Sequence, residues 1–175
     1  VLQHGIRHQD HATPPAKRLE LGGMADRDHI ACALAQGRAH LADMFTARFV
    51  PILVPPWNRI APDLIPRLPG LGYRGLSTFG PRPAIVAAPA LPWLNTHLDL
   101  VSWRGEPRPL PLPLEASLEY LAARVGSAGD EPVGLLTHHR VMDRAAYRPL
   151  DRIVGLGQYH PRATLGAAGS LIGGG

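Results

Sequence analysis

The stretch "FVPILVPPWNR" (Phe49–Arg59) decides how the rest of the chain is read. Phe49 to Val54 is an unbroken apolar run of strand length. Pro55 and Pro56 stop it, because proline has no N–H to give to a ladder. A strand with one wet face alternates apolar and polar residues, and this one does not. It reads as a strand covered on both faces, as in a parallel sheet flanked by helices. Upstream, Ile30, Ala33, Leu34, Leu41, Met44 and Phe45 recur at helical spacing over Asp28–Phe45. Downstream, Ala61–Leu71 reads as a short helix, with Pro62 tolerated in its first turn and Gly72 ending it. Tyr73–Ser77 and Trp93–Leu98 are further strands, and Glu106–Pro113 is a Pro-rich loop. Leu114, Leu118, Leu121, Ala122 and Val125 mark an amphipathic helix. Gly126–Glu131 is a turn, Pro132–Thr137 a strand, and Asp143–Val154 a closing helix. Strands alternate with helices across short connections, which predicts an α/β fold with a parallel sheet. Residues 1–158 form one domain in this reading, and residues 159–175, ending "SLIGGG", form a flexible Gly-rich tail. No internal repeat is present.

The chain has 175 residues, of which 45% are hydrophobic, enough for a packed core despite 19 Gly and 19 Pro. Its 18 Lys and Arg against 14 Asp and Glu leave a formal charge of +4. The arginines are scattered rather than massed on one segment, so they read as solvated surface and not as a nucleic-acid footprint. Cys32 stands alone, which excludes a disulfide framework and a CxxC metal site. It falls within the first helical pattern and is expected to be a small buried apolar side chain. No apolar stretch approaches the roughly 20 residues of a membrane span, so no membrane partner is expected. The compartment leans toward the cytoplasm, with the N-terminal signal region not visible.

The chain opens on "VLQHGIRH" (Val1–His8), where Val1 to Gln3 reads as the end of a strand that begins upstream. His4 and His8 follow at i,i+4, a spacing that suits two ligands of one divalent metal, with Gly5 permitting a tight turn between them. Nine histidines in the chain make such a pair weak on count alone. Its place at a strand end adds weight, because sites of parallel α/β folds form at the C-terminal ends of strands. Trp57, Asn58 and Arg59 hold the same position after the second strand. Asp99 and Trp103 hold it after a third, and His138 and His139 after the last. Strand parity puts His138 and His139 on opposite faces, so at most one of them is chemical.

Taken in order, these segments resemble the polysaccharide deacetylases of the NodB-homology type. The resemblance rests on Gln3-His4-Gly5, His8, His11-Ala12, Pro55–Arg59, Leu71–Ser77, Asn95–Trp103 and Gly134–His139, and it runs to about Leu150. It implies a distorted, parallel-stranded (β/α) barrel, here incomplete at the N-terminus. It also implies one divalent metal ion, zinc being the expected one, held by an Asp and two His. His4 and His8 match the family's H-x-x-x-H ligands. Pro56 and Trp57, with Asn58 and Arg59, match one wall of the substrate groove, and Asp99 and Trp103 the other. His138 matches the histidine that serves as catalytic acid, with His139 as the alternative if the register differs by one.

The implied reaction removes N-acetyl or O-acetyl groups from an oligo- or polysaccharide. The metal would activate a water and polarise the carbonyl. A protonated His138 would donate to the leaving group. Asp99 would orient a catalytic group or cap a turn, and the tryptophans would stack on sugar or pack in the core. The family's first motif, an Asp-Asp pair that supplies a ligand and the base, is expected upstream of Val1. The chain alone is therefore expected to be inactive. Two further positions depart from the family: Val54 stands where an Arg is usual, and Ser102 replaces the second Asp of D-x-x-D-W. The alternative is a catalytically inactive barrel that binds a glycan.

Overall fold

The computed structural model describes residues 1–104, 110–127, 131–161 and 163–172, which fall into two compact units. The first comprises Val1–Leu94 with the residues from Ala168 onward, and the second Asn95–Ala167. Among the described residues the structure is mixed α/β built on short strands.

In the first unit, β1 (Gln3–His4), helix α1 (Arg27–Phe45), β2 (Ile52–Val54) and β3 (Gly75–Leu76) form its centre. The sheet order is β1-β2-β3, parallel throughout, with Gln3 opposite Leu53 and Ile52 opposite Gly75. The apolar run singled out in the sequence supplies the middle strand, and Ile52 and Leu53 are fully buried. Helix α1 is capped by Asp26, which accepts from the His29 N–H at 2.7 Å. It buries Ile30, Ala31 and Leu34. Cys32 is exposed, which corrects the expectation of a buried thiol. Two positions beyond Ile30 is roughly 200° around a helix, the face away from the core.

The expected helix over Ala61–Leu71 is two 3₁₀ segments, Pro62–Arg67 and Pro69–Leu71. Pro66 and Pro69 lack the N–H that α-helical bonding requires, and the tighter turns need fewer such donors. The expected strand over Trp93–Leu98 is also divided. Leu91–Pro92 (β5) pairs antiparallel with Val86–Ala88 (β4), and Trp93 makes a single parallel bridge to Leu76. The polar Asn95 ends the apolar run, and pairing resumes one residue later in the second unit. At the other end of the chain, Ala168–Ile172 forms a 3₁₀ turn, with Ile172 against Gly75.

The second unit holds β6 (Thr96–Asp99), β7 (Val101–Ser102), β8 (Leu110–Pro111), α2 (Leu114–Ser127), β9 (Gly134–Leu136) and α3 (Arg144–Tyr159). Strands β6 and β9 pair parallel, with Asp99 opposite Leu136, while β7 and β8 pair antiparallel. Most of the expected Pro-rich loop, residues 105–109, lies outside the described residues. Asp143 caps α3 by accepting from the Ala145 and Ala146 N–H groups, both at 3.0 Å. Leu98, Leu100, Val101, Met142, Ala146 and Ile153 form the unit's core. No helix among the described residues is long and apolar enough to cross a membrane.

Candidate functional site

The first cluster grows out of strand β1. Gln3 faces inward and is 2% exposed. Its Nε2 donates to the Gly5 and Leu34 carbonyls, at 3.1 and 3.4 Å. Its Oε1 accepts from the Tyr73 hydroxyl at 2.6 Å. Burial pushes the Tyr73 phenol well above its usual range, with Arg38 opposing, so it stays a donor. The period of a strand then turns His4 to the other, exposed face. Its Nδ1 lies 3.0 Å from the Val54 carbonyl on β2. A carbonyl only accepts, so Nδ1 carries a hydrogen, and in the neutral ring Nε2 then keeps a lone pair. That is the state a metal-binding imidazole needs.

Between the two histidines the chain turns sharply. Gly5 has φ +63°, and a Cβ there would sit 2.1 Å from a Glu20 oxygen and 2.4 Å from Pro56. Only glycine fits. The turn aims consecutive N–H groups at the buried Glu20 carboxylate: Ile6 at 2.9 Å, Arg7 at 2.7 Å and Gln9 at 3.0 Å. Burial alone would push this carboxyl upward, but those N–H groups, with that of His8, hold it below its ordinary range. His8 itself has φ +61°, and Trp57 and Asn58 have φ +53° and +58°. Three left-handed non-glycine residues at one place are a strained arrangement, of the kind that gathers at functional sites.

The outcome is a compact group of rings. The centroids of His4 and His8 are 5.3 Å apart, and His8 meets Trp57 edge-on at 4.4 Å. Two imidazoles bound through nitrogen to one tetrahedral zinc have centroids roughly 5 Å apart, close to this separation. Among the described residues, no group of three His, Cys, Asp or Glu side chains is gathered to complete such a site. Pro56 is buried beneath the turn, Trp57 and Arg59 are half-buried, and Asn58 is exposed. Arg18 lies over the Trp57 ring, 5.8 Å from its centroid.

The second cluster lies at the ends of β6 and β9. Asp99 Oδ2 accepts from Trp103 Nε1 at 2.8 Å and stands 3.1 Å from His138 Nε2. Its Oδ1 accepts from the Val101 N–H at 3.0 Å. Both roles weighed for Asp99 are therefore present: it caps the turn and it orients an imidazole. Trp103 meets His138 edge-on at 4.8 Å, with the rings nearly perpendicular. Trp103 is 56% exposed, so it is not a core residue. His139 is exposed, one residue further on, in the turn that follows.

Under this cluster sits a group that the sequence reading did not select. His97 is fully enclosed, its Nδ1 accepting from the Gly134 N–H at 3.1 Å. Its Nε2 donates to Glu131 Oε1 at 3.0 Å, and the other Glu131 oxygen pairs with Arg124. The network joins β6, α2 and the entry to β9. A histidine set between Thr96 and Leu98 in a buried strand was its only sequence signal. Glu20 was missed as well, and its signal was the Gly5 turn, because consecutive N–H groups need an anionic acceptor.

The chain matches no family model, no curated protein and no solved structure.

Proposed function

We propose that the chain is part of a metal-dependent carbohydrate deacetylase of the NodB-homology kind, acting on N-acetyl or O-acetyl groups of an oligo- or polysaccharide. The parallel order β1-β2-β3 and the parallel pair β6-β9 support the coarser α/β class, within which the resemblance implies a (β/α) barrel. The observation that carries the reading is the His4–His8 pair, 5.3 Å apart with His4 Nε2 left as a donor to metal. His4 and His8 would hold the ion, which supplies an activated water and a polarised carbonyl.

The chain's own residues account for the rest. The Val54 carbonyl fixes the His4 tautomer, and Glu20 fixes the turn that brings His8 back to it. In the second unit, Asp99 holds His138 through Nε2, and the resemblance gives that imidazole the role of the acid. Asp99 stands first in D-x-x-S-W and takes over the orienting role that Ser102 lacks the charge for. Trp57 and Trp103, both accessible, offer faces and edges for a sugar.

Acetate release from N-acetylated oligosaccharides tests the reaction, in a form of the protein that carries the family's Asp pair. Metal-dependent release that His138→Ala removes is the expected result. Sugar binding with no release under any metal would instead favour the inactive glycan-binding barrel.

A further inference from the structure

Some arginines of the first unit pair with carboxylates and some do not. Arg27 pairs with Asp63 at 3.0 Å and Arg67 with Asp28 at 2.6 Å. Arg18 and Arg59 form no ion pair among the described residues, and both belong to the rim of the histidine cluster. Arg59 donates to the Arg18 carbonyl at 3.1 Å, which ties the segment before Glu20 to the turn after β2. The Arg18 guanidinium lies over Trp57, within the range of a cation–π contact, and Trp57 in turn meets His8.

Acids near this rim are already engaged. The Glu20 carboxylate is taken up by the N–H groups of Ile6, Arg7 and Gln9. Asp10 Oδ1 accepts from Ala12 and Leu19, and these bonds hold its carboxyl below the usual range, with a smaller contribution from Arg18. The rim therefore presents two guanidinium groups beside an aromatic ring and the histidine pair. A neutral sugar stacks on the ring and can accept from a guanidinium, but it leaves the two positive charges unmatched. An anionic group matches them, because the guanidinium fork suits a pair of charged oxygens.

Resting on the carbohydrate reading above, we infer that the glycan is acidic: the sugar held at Trp57 carries, or directly neighbours, an anionic group that pairs with Arg18 and Arg59. Carboxylate and sulfate share the required chemistry. Calorimetry on the 175-residue chain, without added metal and at physiological ionic strength, separates them with three hexasaccharides. One is neutral chitin, one alternates glucuronate with N-acetylglucosamine, and one is chitin carrying sulfate esters.

At least one acidic sugar should bind roughly tenfold or more tightly than the neutral one, and the tighter of the two identifies the anion. Arg18→Gln with Arg59→Gln should bring all three to within about twofold, while Arg148→Gln with Arg152→Gln, on α3, should leave the preference in place. Equal affinities, or a preference that survives the Arg18 and Arg59 changes, overturn the inference. No binding by any of the three overturns it together with the glycan reading. Acetate release without an acid preference overturns the inference alone, and an acid preference without release leaves it standing.

Discussion

The two clusters present their histidines in different ways. In the first unit a backbone turn does the positioning, with Gly5, His8, Trp57 and Asn58 all in the left-handed region, and one buried carboxylate gathers the resulting N–H groups. In the second unit none of the site residues has a positive φ, and side chains do the positioning: Asp99 holds His138 and Trp103, while His97 joins β6 to the start of β9. The first arrangement is therefore sensitive to changes in the main chain and to acid. The second is sensitive to the loss of a single polar side chain.

The largest effect separates two adjacent histidines. In a form active in acetate release, His138→Ala should lower turnover by about 10²–10⁴-fold, with metal content unchanged. His139→Ala, in the exposed turn, should leave turnover within about twofold of the parent. Loss of turnover in a folded His139→Ala protein, with His138→Ala unaffected, would shift the register by one residue. Next comes the buried network. His97→Phe leaves Glu131 with one partner fewer and the Gly134 N–H without its acceptor, so unfolding stability should fall by about 3–5 kcal/mol in denaturant titrations. A smaller loss of about 2–4 kcal/mol is expected for Gly5→Ala, which introduces a Cβ into occupied space at positive φ. If Gly5→Ala cost no more than a surface substitution, the strained turn would not be what holds His8.

The smallest predicted effect is a pH dependence. Glu20 has a carboxyl held below its ordinary range in the fold, so the unfolded chain takes up a proton first as pH falls. Its contribution is present in full above the ordinary glutamate range and is lost as pH drops through that range and below. Denaturant midpoints measured down the acid limb should fall less steeply in Glu20→Gln than in the parent. Parallel limbs would show that Glu20 does not carry this sensitivity.

How much of this was visible beforehand follows from the same contrast. The apolar run Ile52–Val54, the helical spacing along α1 and the proline stops are local features, and the sequence displays them directly. The positions of His4, His8, Asp99 and His138 at or just past strand ends were legible, and strand ends are where parallel folds place chemistry. The supports were not. Gln3, Glu20 and His97 look like ordinary polar residues until the chain folds, because their partners lie on other elements, up to 70 residues away for Gln3 and Tyr73. Cys32 was misplaced for a related reason. Apolar periodicity locates a helix, but the buried face is chosen by what packs against it.

The central claim is that His4 and His8 share one metal ion, and zinc titration of the 175-residue chain by calorimetry tests it directly. Uptake of about one zinc per chain, abolished in the His4→Ala, His8→Ala double variant and retained in His138→Ala, is the predicted result. Equal uptake by the parent and the double variant, or no uptake by the parent, would contradict it.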